Sequence, residues 1–336
     1  MTAKTRVVVL ATRTLFDSFF GEAERGRLSR YEWERIGGRR ATPALLRRLA
    51  GADALVTTWD SPPLAPSLLA ACPRLRMIAH CGGEVKARFA RPLFDRLTIT
   101  NAADPMARQV AELAAAFLLY EARNVDRYRA QIRCPGTGIF EARHQRGVEG
   151  ETLAGATVGL VGFGRIGRAL VELLVPFGAR FVVYDPYARR RVPRGARVRF
   201  APLDRVLGAS RLLVLACALT EDTRNLLDRE RLARLPDGAS IVNVARGGLV
   251  DLEALTAEVV AGRLRCALDV TDPLEPLPDD HPLRVAPGAI LTPHVGAGAD
   301  RVRRAMANVV LDELERYFSG RRVRHRVSRA MLDRMT

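Results

Sequence analysis

The sequence predicts an α/β protein built from two doubly wound parallel-sheet domains. Three observations carry this reading. Short apolar runs alternate with helical stretches along the whole chain, as they do where parallel sheets are covered by helices on both faces. The 336 residues are more than one ordinary domain holds. A glycine-rich turn follows an apolar strand near the middle of the chain.

In the first third, residues 6–11, 54–58, 75–80 and 97–101 read as four strands of one layer. Val110, Leu113, Ala114, Phe117 and Leu118 fall at helical spacing, so residues 106–129 are expected to form one long helix. Residues 134–151, with Pro135, Gly136, Gly138, Gly147 and Gly150, read as a connecting loop. Six further strands follow at 157–161, 180–184, 212–216, 240–244, 265–270 and 289–292, the number expected of a doubly wound nucleotide-binding sheet. A last helix, 300–318, stops before Gly320.

Composition removes several function classes. With 48% hydrophobic and 27% charged residues the chain is globular, and no apolar run approaches the length that spans a bilayer. No basic stretch with an apolar signal core opens the sequence, so a cytoplasmic protein is expected. The cysteines Cys72, Cys81, Cys134, Cys217 and Cys266 and the five histidines are scattered without metal-ligand or CxxC spacing, and no metal is expected. The net charge of +16 invites a nucleic-acid reading. It is spread along the chain and nearly all arginine, Lys4 and Lys86 being the only lysines, so no nucleic-acid face is expected. The run Arg189-Arg190-Arg191 and the tail 321–329 are the places where one would lie.

The segment from Val158 to Gly167 is an apolar strand running into Gly162-Phe163-Gly164-Arg165-Ile166-Gly167, with a helix expected over 168–177. Gly162 permits the tight turn, Gly164 lets backbone approach a pyrophosphate, and Gly167 lets the helix pack on the strand. Asp185 ends the next strand, 18 residues beyond Gly167, where an acid accepts hydrogen bonds from the adenosine ribose hydroxyls. That carboxylate repels a 2'-phosphate, so NAD is expected ahead of NADP, although Arg189 to Arg191 lie just beyond it.

Reducing a 2-keto acid requires a cation for the carboxylate, an acid for the carbonyl oxygen and a partner that tunes the acid. Three segments supply such groups: Asn243-Val244-Ala245-Arg246-Gly247-Gly248, Asp269-Val270-Thr271-Asp272-Pro273-Leu274-Glu275-Pro276, and Thr292-Pro293-His294-Val295-Gly296. Singly, each has an ordinary structural explanation. Together, in this order and at strand C-termini, they resemble the D-isomer-specific 2-hydroxyacid dehydrogenases, from about residue 75 to 320.

The resemblance implies that Arg246 binds the substrate carboxylate and polarises the carbonyl, His294 is the general acid/base, and Glu275 hydrogen-bonds His294 and favours its protonated form. It further places Asp269 by the nicotinamide carboxamide, Val244 and Ala245 beside the cofactor, and the backbone of Gly82 and Gly83 on the substrate carboxylate. Three departures stand out. The loop holding Glu275 is one residue longer than the family's usual DVTxPEP, leaving Asp272 as an alternative partner of His294. Met106 replaces a common asparagine, and residues 215–220 lack the usual histidine and proline, so the commonest substrates are in doubt.

The same resemblance implies a Rossmann NAD-binding domain, 109–298, inserted in a flavodoxin-like substrate-binding domain, 1–108 with 299–336. The active site would lie in a closing cleft. It also implies a homodimer formed through the long helix and the loop that follows it. The competing function is an NAD(H)-sensing corepressor-like binding protein without turnover. The basic charge favours that alternative, and the trio Arg246, Glu275 and His294 opposes it.

Overall fold

Val7, Val8 and Val9 are fully buried in β1 (Arg6–Leu10), and a strand buried on both faces is what a helix-covered parallel sheet requires. In the computed structural model, which describes residues 4–133, 152–188 and 191–335, β1 belongs to a six-stranded sheet. Its other members are β2 (Glu32–Ile36), β3 (Ala54–Thr57), β4 (Met77–His80), β5 (Thr98–Asn101) and, numbered last in the chain, β13 (Arg326–Val327). The order is β13-β5-β4-β3-β1-β2, parallel throughout except that β13 runs against β5. The succession β2-β1-β3-β4-β5 is the flavodoxin-like winding.

Helices cover both faces of this sheet. Met306, Val310, Leu311 and Leu314 of the helix Asp300–Phe318 pack on Val7, Val9, Val56 and Met77. Leu49, Leu68, Phe89 and Leu332 pack on Val8, Leu55 and Ile78 on the other side. Contacts therefore gather residues 1–106 and 297–336 into one unit.

Residues 107–296 form a second unit around a seven-stranded sheet. Its strands are β6 (Thr157–Val161), β7 (Arg180–Tyr184), β8 (Arg197–Phe200), β9 (Leu212–Leu215), β10 (Ser240–Asn243), β11 (Arg265–Leu268) and β12 (Ala289–Leu291). They lie in the order β12-β11-β10-β9-β6-β7-β8, all parallel. The winding reverses between β6 and β9, and open sheets of this kind bind ligands at such a switch point.

Four expectations need correction. Each sheet has an edge strand that the apolar-run criterion missed. β2 and β8 alternate charged with apolar residues and are only partly buried, as edge strands with one solvated side are. β13, two residues long, was also missed. The helix expected over 106–129 is two helices, Ala103–Ala122 and Val125–Arg133, separated where Asn124 takes a positive φ of 50°. The helix expected over 168–177 starts earlier, Arg165–Leu174, and Pro176 tightens its end into a 3-10 turn, Val175–Phe177. The helix Asp300–Phe318 and its stop at Gly320, φ 73°, are as expected. The loop 134–151, with Cys134, and the arginines Arg189 and Arg190 lie outside the described residues. Among the described residues no helix is long and apolar enough to cross a membrane.

Candidate active site

The turn after β6 is shaped by what its glycines exclude. Gly162 has φ 99°, and a β-carbon there would lie 2.5 Å from the backbone nitrogen of Cys217, beyond β9. At Gly167 a β-carbon would collide with the Gly162 carbonyl. Gly164, by contrast, caps the helix Arg165–Leu174 without a side chain and faces open space, with nothing within 4 Å of its missing β-carbon. The first two glycines serve packing, and the third leaves the N–H groups of a helix N-terminus approachable by an anion. Arg165 is exposed and Ile166 half-buried on the first turn.

Asp185, one residue beyond β7, curls back onto this turn. Its Oδ2 accepts from Phe163 N at 2.7 Å and its Oδ1 from Tyr187 N at 2.8 Å. The negative charge is thus fixed beside the glycine turn. The open helix N-terminus and this carboxylate fit the pyrophosphate and adenosine ribose of NAD. Cys217, packed behind Gly162, has its thiol pushed up to about 12 by burial.

Three loops at the far ends of β10, β11 and β12 are tied to one another. Asn243 anchors the first: its Oδ1 accepts from Ala245 N (3.1 Å) and its Nδ2 donates to Arg246 O (2.9 Å). Val244 and Ala245 are buried, and half-buried Arg246 donates through Nη1 to Ala245 O at 2.7 Å. A β-carbon on Gly247 would collide with the backbone of Thr271 and Asp272, so the Arg246 loop and the loop after β11 are in main-chain contact.

Asp269 organises the third loop. Only 2% exposed, it accepts Thr292 Oγ1 (2.6 Å) and Val295 N (2.8 Å) on Oδ1 and Gly296 N (2.8 Å) on Oδ2. Its own amide donates to Asn243 O and its carbonyl accepts from His294 N at 2.9 Å. His294 is held in the left-handed region, φ 54°, by these bonds.

The added residue in the β11 loop is absorbed as a bulge. Thr271 Oγ1 donates to Leu274 O at 2.6 Å, Leu274 projects outward, and the Asp272–Pro273 and Glu275–Pro276 bonds are cis. Glu275 Oε1 thereby meets His294 Nδ1 at 3.0 Å. Asp272 turns to Arg224, 3.3 Å away. Between the two candidate partners of His294, the structure selects Glu275.

Gly82 and Gly83 belong to the other unit, on the turn after β4. Gly82 is buried against the His80 ring, and Gly83 accepts from Asn101 Nδ2 (2.8 Å) with Met106 Sδ 3.7 Å from where its β-carbon would be. His80 is fully buried, bonded through Nδ1 to Thr57 Oγ1 (2.9 Å), and burial drives it down to about 3, so it is neutral. Burial likewise raises the Cys81 thiol. Motif reading gave no role to Asn243 and Thr292 as side chains, although both stood inside the quoted segments; their hydrogen bonds appear only once the strand ends are aligned.

A doubly wound sheet with an approachable helix N-terminus at its switch point, and an imidazole–carboxylate pair beyond neighbouring strand ends, defines a dinucleotide-binding oxidoreductase. Residues 115–296 match the family model described as D-isomer specific 2-hydroxyacid dehydrogenase, NAD binding domain. A hydroxypyruvate reductase of Thermotoga maritima is 30% identical over 274 residues, 80% of this chain and 86% of that protein. The chain belongs to the D-isomer specific 2-hydroxyacid dehydrogenase family and carries its NAD-binding domain.

A D-3-phosphoglycerate dehydrogenase of Methanocaldococcus jannaschii is 30% identical over 279 residues, 82% of this chain, but the match spans only about half of that relative, 52%. A solved structure from Thermus thermophilus, 34% identical, superposes with a TM-score of 0.73 over 96% of this chain and 100% of that one.

Proposed function

We propose that this chain interconverts a small 2-keto acid and the D-2-hydroxy acid with NAD, with His294 as general acid/base, Glu275 as its hydrogen-bond partner and Arg246 as the carboxylate and carbonyl ligand. The 3.0 Å contact between Glu275 and His294 carries this reading, because it commits Nδ1 and leaves Nε2 to move the proton.

NAD, when bound, supplies the hydride to C2 in reduction or accepts it in oxidation. The protein's own groups do the rest. In reduction His294 donates a proton to the former carbonyl oxygen, and Glu275 fixes the ring and stabilises its charged form. Arg246 neutralises the carboxylate, and the Gly82 and Gly83 N–H groups add hydrogen bonds to it. Gly162, Gly164, Arg165, Ile166 and Gly167 cradle the pyrophosphate, Asp185 takes the ribose and disfavours NADP, and Val244, Ala245 and Asp269 line the nicotinamide. The resemblance supports a cytoplasmic homodimer. The NAD(H)-sensing alternative is not favoured, since a binding protein has no need of the Glu275–His294 pair.

The test is reduced-nicotinamide oxidation by purified protein with glyoxylate, hydroxypyruvate and phenylpyruvate, repeated with His294→Ala. Turnover abolished by the substitution is expected. Nicotinamide binding without turnover of any acid would return the sensing alternative to first place.

A further inference from the structure

Unsatisfied polar groups collect at one corner of the unit formed by residues 1–106 and 297–336. Arg303 Nε is buried and has no hydrogen-bond partner. Among the described residues no carboxylate pairs with this guanidinium, although its neighbour Arg304 reaches Glu24 and Asp17 O. Arg303 lies instead over the Trp59 ring, 5.3 Å from its centroid, and both residues crowd Gly298.

The indole of Trp59 is fixed from below by the edge of Phe19, at 5.0 Å, and its loop is pinned by Arg88, which donates to Trp59 O at 2.7 Å. Trp59 Nε1 lies 3.0 Å from the position a Gly82 β-carbon would take, and His80 Nε2 faces the same point. That His80 nitrogen is fully buried and without a partner, and buried polar atoms left unpaired in a native structure call for an explanation. Asp60, the adjacent carboxylate, is turned away onto Thr12 N and the Thr58 hydroxyl. A guanidinium stacked on an indole is pre-organised to hold a planar or tetrahedral oxyanion, and an N–H beside the Gly82–Gly83 turn adds a donor.

We propose that Trp59 and Arg303 form a subsite for a second anionic group on the substrate, so that the preferred substrate is a 2-keto acid bearing a distal carboxylate or phosphate. This rests on the hydride-transfer reading for the reacting end and adds a determinant for the other end.

The test compares acids matched except for the far group: 2-oxoglutarate against 2-oxopentanoate, and 3-phosphooxypyruvate against hydroxypyruvate. Wild type is expected to prefer the charged member of at least one pair, and which pair responds separates carboxylate from phosphate. Arg303→Met should lower kcat/KM for that acid at least tenfold more than for its uncharged counterpart, through KM. Arg303→Lys should recover part of the preference, and Trp59→Phe should lose less than Arg303→Met. Calorimetric binding of 2-oxoglutarate and 3-phosphooxypyruvate to the NAD-loaded full chain gives a readout independent of turnover. Arg303-dependent binding without turnover overturns the hydride-transfer reading and keeps the subsite. Equal effects of Arg303→Met on both members of each pair, or no binding of either charged probe to wild type, overturn the subsite.

Discussion

Glu275 Oε1 stands 3.0 Å from His294 Nδ1 even though the loop that carries the glutamate is one residue longer than its relatives' usual pattern. Thr271, bonded to Leu274 O, folds the surplus outward and returns Glu275 to the imidazole. Replacing Glu275 by Gln removes the charge that stabilises the imidazolium, and kcat should fall by roughly 10²-fold with little change in nicotinamide affinity. Asp272→Asn, at an exposed ion pair with Arg224, should leave kcat within about twofold. Steady-state kinetics on the two variants decide it; the reverse ranking would exchange the two roles.

Gly162 and Gly164 sit two residues apart and should fail in different ways. Gly164→Ala meets no neighbouring atom, so the thermal midpoint should hold while NADH affinity, read by fluorescence titration, drops about tenfold or more. Gly162→Ala forces a side chain into a left-handed turn and against Cys217 N, at a cost of about 1–3 kcal/mol or more in stability. Equal loss of stability in both would contradict the assignment of Gly164 to the cofactor.

Asp269→Ala leaves the N–H groups of Val295 and Gly296 without their acceptor at a buried site. Each such loss costs about 1–3 kcal/mol, so a clear fall in denaturation midpoint is expected. Because the same bonds set the backbone of His294, kcat should fall with it. A variant with native stability and native kcat would show that the loop holds itself.

Burial keeps His80 neutral down to about pH 3, whereas an unfolded chain protonates it near the ordinary value of 6.5. Between these values the unfolded state binds the extra proton, so stability is fully present above 6.5 and declines as pH falls. The slope from this residue approaches ~1.4 kcal/mol per pH unit. Denaturant titrations between pH 6.5 and 5, above the range where carboxylates dominate, should show a shallower slope for His80→Gln than for wild type. Parallel slopes would mean that the ring is hydrated or paired in solution.

The sequence exposed the site more fully than it exposed the sheets. Gly162, Gly164 and Gly167, and the trio Arg246, Glu275 and His294, announce themselves because each requires a residue type that few alternatives satisfy. β2 and β8 escaped because edge strands such as Glu32-Trp33-Glu34-Arg35-Ile36 are written half for water, so their apolar signal is diluted. Asn124, which divides the long helix, offered only a polar residue in a polar stretch. Trp59 and Arg303 are far apart in the chain, and no spacing rule relates them; the sheet winding and the returning helix bring them into contact. The choice between Asp272 and Glu275 depended on how one loop bends, which only the fold decides.

The insertion of one unit into the other also orders events during synthesis. The face of the first sheet that carries Val7, Val9, Val56 and Met77 is covered by Met306, Val310, Leu311 and Leu314 of the helix Asp300–Phe318. A ribosome therefore completes all of residues 107–296 before it makes the helix that closes the sheet begun at β1. The nucleotide-binding unit can finish folding while its predecessor waits with an apolar face in water. Chaperone demand during translation is thus concentrated on the amino-terminal segment, and truncation just before Asp300 should yield a chain whose first hundred residues aggregate while its middle remains ordered.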